Sequence, residues 1–407
     1  MSSLIKQLAI LLILIFSFTF LKGQSINTKP KQAPILFELG EKALQNKLYK
    51  TALAHYNECL RLDPFYWEAY FSRARTKENL KDAKGALTDY NIFLESKPDN
   101  REALFTRAVL RYNYGQWAVS REDFIRLMKT PPGETNSIFY QTDGAGATNK
   151  IFTTQGNMTA TFLNYLGLID WKMMNYKRSI AYLDSAIKGS PANADYWINR
   201  GIVRQSLRDT SGALADFKKA LTVDPASSLA THNIAVLSGF HGDFKESEKL
   251  LTEAIEKNPK LPYSYAERGY IRMKTNNWKG ALSDFSEAIL LENTEPNNWL
   301  YRGVTKEKLK DYQGALADYT HAIKMKDDYE SAWLNRGNLL TKMNRSKEAI
   351  EDYTIAITHY PEYGLAFYNR AIAEHKIGHL KEACQDLLQA QKFHMKIDKK
   401  VMDTFCK

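Results

Sequence analysis

Only three cysteines (Cys59, Cys384 and Cys406) occur in 407 residues, which excludes a scaffold held together by many disulfides. Prolines are scarce where helices are expected: after Pro34 none falls in a predicted helix interior, so the helices run unkinked. Catalytic motifs are missing as well. There is no GxxxxGK[ST] loop, no GxSxG turn and no HExxH pair, and the cysteine spacing matches no metal site. His375 and His379 stand four apart, but Gly378 and an expected turn separate them. The acidic residues distribute as helix caps and surface charge. No enzyme activity, cofactor or metal is expected from this pattern. The formal charge is +10, or +8 without Lys6 and Lys22 of residues 1–23, yet no sustained basic block exists. Scattered lysines read as a solvated surface, and a nucleic-acid partner is not expected.

One long apolar run is present, Leu8 to Leu21, preceded by Lys6 and followed by Gly23, Gln24 and Ser25. It is short for a membrane span, so residues 1–23 read as a cleaved signal peptide. The alternative is an uncleaved N-terminal anchor, favoured by Lys22 beside the junction. No cysteine stands there, which excludes a lipid-anchored lipoprotein. Either way the rest of the chain is exported. Residues 24–32 are a polar linker.

What fills the remainder is a unit best seen at 330–363, ESAWLNRGNLLTKMNRSKEAIEDYTIAITHYPEY. Two amphipathic helical patterns flank a polar turn near Met343 to Ser346. With Glu330 as position 1, the small residues Gly337, Ala349 and Ala356 fall at positions 8, 20 and 27. They let two antiparallel helices approach, and Trp333 and Tyr353 at positions 4 and 24 fill the space between. Pro361 ends the second helix. Pro64, Pro98 and Pro132 are spaced by 34, and so are Pro191, Pro225 and Pro259. Ten copies follow: 33–66, 67–100, 101–134, 160–193, 194–227, 228–261, 262–295, 296–329, 330–363 and 364–397. One such pair cannot bury its own apolar face, so the copies must stack.

This pattern resembles the tetratricopeptide repeat family. The resemblance implies an all-α fold, a right-handed superhelix of helix pairs whose concave face binds peptides or proteins. Two departures break the regularity. Position 27 holds Cys59, Phe93 and Leu127 in the first three copies, which sets 33–134 apart as a block from 160–397. Residues 135–159 are inserted, with SIFYQT and KIFTTQ flanking DGAGATN, which reads as a β-hairpin or a loop. Residues 398–407 fit a further amphipathic segment that caps the last copy.

The resemblance places the partner groove on the first helices, at positions 2, 5, 9, 12 and 13. Position 5 carries Phe37, Phe71, Phe105, Ile198, Leu334 and Tyr368 among others. Tyr270 stands at position 9, and Lys274, Lys308, Lys342 and Lys376 stand at position 13. An apolar floor edged by lysines would suit a partner with apolar anchors and acidic groups. The phenylalanine row is expected to anchor it.

Comparison among the copies supplies two structural expectations. Position 7 is arginine in seven copies, and position 23 of the same seven is aspartate. The pairs are Arg73 with Asp89, Arg107 with Asp123, Arg200 with Asp216, Arg268 with Asp284, Arg302 with Asp318, Arg336 with Asp352 and Arg370 with Asp386. Copies without the arginine also lack the aspartate, as an ion pair inside each copy requires. At the C-terminus, Cys384 lies ten residues before His394 and Cys406 twelve after it. A helix hairpin turning there would bring the two within disulfide reach. The expected function is an exported, non-enzymatic interaction scaffold. The alternative is a membrane-anchored assembly factor, or a subunit of a membrane-associated envelope complex, with the array as spacer.

Overall fold

The 34-residue period produces a pair of helices in every copy. The computed structural model describes residues 32–131, 138–142, 148–153 and 158–406. The expected signal peptide or anchor, and all of the expected linker except Gln32, lie outside them. The first copies comprise α1 (Gln32–Gln45), α2 (Tyr49–Leu62), α3 (Trp67–Asn79), α4 (Ala83–Ser96), α5 (Arg101–Asn113) and α6 (Trp117–Lys129). After strands β1 (Ile138–Thr142) and β2 (Thr148–Thr153) come α7 (Thr159–Lys172), α8 (Tyr176–Gly189), α9 (Ala194–Ser206) and α10 (Thr210–Val223). Copies 6 to 8 comprise α11 (Ser228–Phe240), α12 (Phe244–Lys257), α13 (Pro262–Lys274), α14 (Trp278–Leu291), α15 (Pro296–Lys308) and α16 (Tyr312–Met325). The chain closes with α17 (Glu330–Lys342), α18 (Ser346–His359), α19 (Gly364–Lys376), α20 (Leu380–Lys392) and α21 (Lys399–Phe405). Helix α1 starts at Gln32, one residue inside the expected linker. Its Pro34 falls in the first turn, where a backbone N–H has no helical acceptor to lose.

Each turn between paired helices is built the same way. Position 15 has positive φ in all ten copies, from 58° at Lys47 to 87° at Gly242. That conformation stops the first helix, as in a left-handed C-terminal cap. The next residue is often Asp or Asn and caps the second helix: Asp82, Asp209, Asn277 and Asp311 accept from the N–H of Gly85, Gly212, Gly280 and Gly314 at 2.9 to 3.1 Å. Within the pair, a Cβ added to Gly337 would meet the Tyr353 ring at 2.6 Å. The ring at position 24 therefore sits where only a small residue leaves room: glycine here, alanine at Ala74 opposite Tyr90.

The chain divides into two compact units, Met1–Pro191 and Ala192–Lys407, each a stack of these pairs. The first unit holds four copies, not the block of three read from position 27. A single aromatic-rich core explains the difference. Phe162, Tyr165, Leu166 and Ile169 of α7 pack with Phe93, Phe105, Phe124 and Leu127, so copy 4 joins copies 2 and 3 across the insertion. In the insertion itself, β1 and β2 pair antiparallel, with Phe139 opposite Phe152 and an irregularity between Gln141 and Thr142. Residues 132–137, 143–147 and 154–157 lie outside the described ones.

Tyrosine at position 24 also reaches position 12. The Tyr90 hydroxyl donates to Glu78 and the Tyr319 hydroxyl donates to Glu307. Burial pushes the Glu78 carboxyl up from 4.5 to about 7, against the pull of the Tyr90 hydrogen bond and of Arg75. The folded state thus holds this proton more tightly than the unfolded chain. Its contribution is full below about pH 4.5 and is lost as pH rises through about 7. Glu78→Gln removes that loss. The variant is expected to be more stable than the parent at pH 8 by on the order of 2 kcal/mol, read by thermal melting across pH 4.5 to 8. A lower melting temperature for the variant at pH 8 would contradict it.

At the C-terminus, α21 buries none of its own residues. Ile397, Val401, Met402 and Phe405 lie against the buried Ala371, Ala383 and Leu387. Cys384 and Cys406 are joined, with Cα atoms 4.9 Å apart. Cys59 is a buried free thiol.

Candidate functional site

The arginines at position 7 and the aspartates at position 23 meet in all seven copies. In each, Nε and Nη2 of the arginine donate to the two carboxylate oxygens over 2.6 to 3.1 Å. The geometry is the bidentate fork, and every one of these aspartates is buried. Nη1 points elsewhere: Arg73, Arg107, Arg268, Arg336 and Arg370 donate it to Asn57, Asn91, Thr252, Thr320 and Thr354 at 2.8 to 3.1 Å. Those acceptors stand at position 25 of the preceding copy. One guanidinium therefore ties its own helix pair and also reaches back to its neighbour. Six of the seven lie 4.8 to 5.7 Å from the ring centroid of the aromatic at position 4.

Two features of this network escaped the sequence reading. Position 11 supplies a second cation to the aspartate in five copies, through Lys77, Arg111, Arg204, Arg272 and Lys306 at 2.7 to 2.9 Å. The signal was present, because the same comparison of copies shows a base at position 11 in those five. In copy 4 the charges are exchanged: Asp170 on the first helix is fully buried and accepts from Arg178 on the second at 2.7 Å. Arg121 of copy 3 stands 3.3 Å from the same carboxylate.

The expected groove floor is partly core. Phe105 is buried, its ring 5.8 Å from Phe162 and 6.1 Å from both Phe124 and Tyr165. Phe71 packs on Phe93 and Tyr90, with centroids 5.2 and 5.8 Å away. Phe37 lies 5.0 Å from Tyr66 and 6.0 Å from Tyr56. Phe105 is thus core rather than an anchor, sealed by its own second helix and the next copy, whereas Phe37 and Phe71 pack within their own copies and stay half-buried. Ile198 and Leu334 are buried too, at 1% and 7% exposure, and offer no surface. Tyr270 and Tyr368 remain half-buried, and Lys274, Lys308, Lys342 and Lys376 are exposed. Lys274, Lys308 and Lys342 lie over the rings of Tyr270, Trp278 and Tyr312 at 4.8 to 5.8 Å. Lys342 also pairs with Glu307 at 3.3 Å, and Lys376 donates to the Thr341 carbonyl at 3.1 Å.

In the second unit the floor opens at copies 6 to 8. There position 5 is Ala266, where Ile198, Leu300 and Leu334 fill the space in other copies. The result is a cleft of 410 Å³ whose wall includes Tyr263, Tyr270, Phe285 and Tyr301. Tyr270 and Tyr301 have centroids 5.6 Å apart, and Phe285 lies 5.8 Å from Tyr301. His232 closes one end, edge-on to Tyr263 at 4.7 Å, with Nδ1 3.1 Å from the Ser264 hydroxyl. Burial brings its imidazole down to about 4, so it is neutral at physiological pH. Glu267 also faces the cleft and has no hydrogen-bond or ion-pair partner among the described residues. Burial raises its carboxyl above the usual range. Among the described residues no cluster of three or more His, Cys, Asp or Glu is placed to hold a metal ion.

Models of the tetratricopeptide repeat match residues 166–229 and 331–363, the latter within one residue of the unit read from the sequence. The chain belongs to the tetratricopeptide repeat family. Such a repeat array is a scaffold for protein–protein interaction. Tetratricopeptide repeat protein 16 of Mus musculus is 32% identical over 127 residues, 30% of this chain and 16% of that protein. Its counterpart in Macaca fascicularis is 24% identical over 177 residues, 42% of this chain and 19% of that one. The chain thus spans less than a fifth of these relatives. Among solved structures, Pseudomonas aeruginosa PilF matches with a TM-score of 0.47 and 16% identity, over 54% of this chain and 98% of its own. A tetratricopeptide repeat protein from Parabacteroides merdae matches with a TM-score of 0.44 and 16% identity, over 61% and 98%.

Proposed function

We propose that this tetratricopeptide repeat protein is an exported, non-enzymatic scaffold that docks a protein or peptide partner along the first helices of its second unit. The open cleft at copies 6 to 8 carries this reading. Elsewhere position 5 carries a larger side chain, whereas here aromatic walls and an unpartnered carboxylate face solvent-accessible space. Such a mixture of apolar area and few polar groups is what a recognition pocket needs. The exposed lysines at position 13 extend the polar margin along copies 7 to 10. Export draws support from the signal-like residues 1–23 and from the bonded pair Cys384 and Cys406, which an oxidising compartment maintains. N-terminal sequencing of the exported protein tests the processing: a start at or near Gln24 is expected, and an intact Met1 would favour the membrane-anchored assembly factor.

Docking is tested by placing a photo-crosslinking residue at Tyr263, on the cleft rim, or at Lys249, on the outer second helix α12. A discrete partner band is expected from position 263 and none from position 249. Equal capture from both positions, or none from either, would contradict docking at this face.

A further inference from the structure

The cleft at copies 6 to 8 has a chemistry more specific than an apolar groove. Glu267, on α13, is a half-buried carboxylate without any cation in contact, in a chain where the buried aspartates at position 23 each hold at least one arginine. The nearby Lys274 ammonium lies instead over the Tyr270 ring at 5.1 Å, and makes no ion pair with Glu267 among the described residues. Glu292 and Glu295 line the same cleft, so an anionic occupant is repelled. The rings of Tyr270 and Tyr301 offer π-faces beside the carboxylate. A carboxylate in a partly dry, aromatic-walled space is complementary to a planar, weakly hydrated cation.

We propose that this cleft receives an arginine side chain of the partner polypeptide, with its guanidinium paired to Glu267 and its plane laid on the tyrosine rings. The proposal rests on the docking reading above and adds the chemistry of one anchor. Arginine fits better than lysine on two counts. Its guanidinium can bond both carboxylate oxygens at once, and it stacks on aromatic faces where an ammonium remains hydrated. Its permanent charge would also draw the raised Glu267 carboxyl back to its ionised form. The void left by Ala266 supplies the room. A leucine there, as at Leu300 and Leu334, would close the floor.

The test uses ligand-observed NMR on the full chain with N-acetyl-arginine methylamide as probe. Its citrulline analogue, which keeps the shape and loses the charge, and free L-arginine are the comparisons. The capped arginine is expected to bind at least about tenfold more tightly than the citrulline probe, as a charge-assisted bidentate contact requires. Glu267→Gln and Ala266→Leu should each weaken it by a similar factor while the melting temperature holds. Equal binding of arginine and citrulline probes, or undiminished binding by both variants, overturns the proposal. Tighter binding of free L-arginine than of the capped probe also overturns it, since the cleft would then take a small molecule. Partner capture from position 263 that survives Glu267→Gln unchanged would sink this anchor alone. Failure to capture any partner would sink the docking reading instead.

Discussion

Arg336→Leu is expected to destabilise the chain by about 3–5 kcal/mol, the cost of stranding a buried charge. Arg268→Leu should cost less than half as much. Both arginines hold a buried aspartate through the same two bonds. The difference lies at position 11. Arg272 donates a further bond to Asp284 at 2.9 Å, so that carboxylate keeps a partner when Arg268 is lost. Copy 9 has Leu340 there, and among the described residues Arg336 is the one cation paired with Asp352. Burial already lifts the Asp352 carboxyl above its ordinary range despite the arginine beside it. Arg336→Leu also forfeits the bond to Thr320 and the stacking on Trp333. Replacing both Arg336 and Asp352 by Leu should recover most of the loss, because apolar residues leave no charge to desolvate. Urea unfolding of the three variants measures this. If Arg336→Leu and Arg268→Leu cost the same, the second cation is energetically idle.

Cys406→Ser is expected to release the terminal helix α21. The disulfide closes a loop with a sequence separation of 22, worth about 3 kcal/mol in the chain-entropy account. Apart from that bond, the seven-residue helix buries no side chain fully and docks through the partly buried Val401, Met402 and Phe405. Only Asp398 caps it, through the Lys400 N–H at 2.7 Å. In the variant, amides of Lys399–Phe405 should exchange at the rate of free peptide, while those of α19 keep their protection. Mass spectrometry of unreduced protein should find the Cys384 and Cys406 peptides joined. Protection of α21 unchanged in Cys406→Ser would show that Ile397, Val401, Met402 and Phe405 dock it without the bond.

The period of 34 was legible because small residues, turn residues and prolines recur for backbone reasons that no context alters. The arginine–aspartate pairs were legible for a different reason: copies within one chain vary, and the two positions vary together. Position 5 was misread. Periodicity locates a residue on the face turned toward the next first helix, but not how far that neighbour covers it. Phe105 is sealed by Phe162 and Tyr165 of the next copy. The cleft was missed for the converse reason. Ala266 interrupts a row of large residues, and a side-chain pattern does not tell whether a neighbour fills the space that a small residue leaves. The grouping of copy 4 with the first three came from aromatic packing across the insertion, which no single-copy pattern carries.

The backward reach of the position-7 arginines has a mechanical side. In a linear array each repeat touches only its neighbours, so stiffness is set joint by joint. Nη1 acts as a strut at the joints between copies 6 and 7, 8 and 9, and 9 and 10. Copy 6 has Ile234 instead of arginine, and Arg302 makes no such bond to Ser286, the residue at position 25 of copy 7. The joints between copies 5 and 6 and between 7 and 8 therefore lack this strut among the described residues. The cleft draws its walls from copies 6, 7 and 8, astride the second of these joints. Across that joint aromatic packing stands in for the strut, with Tyr301 of copy 8 lying on Tyr270 and Phe285 of copy 7, so a ligand seated on those rings would bear on the joint itself.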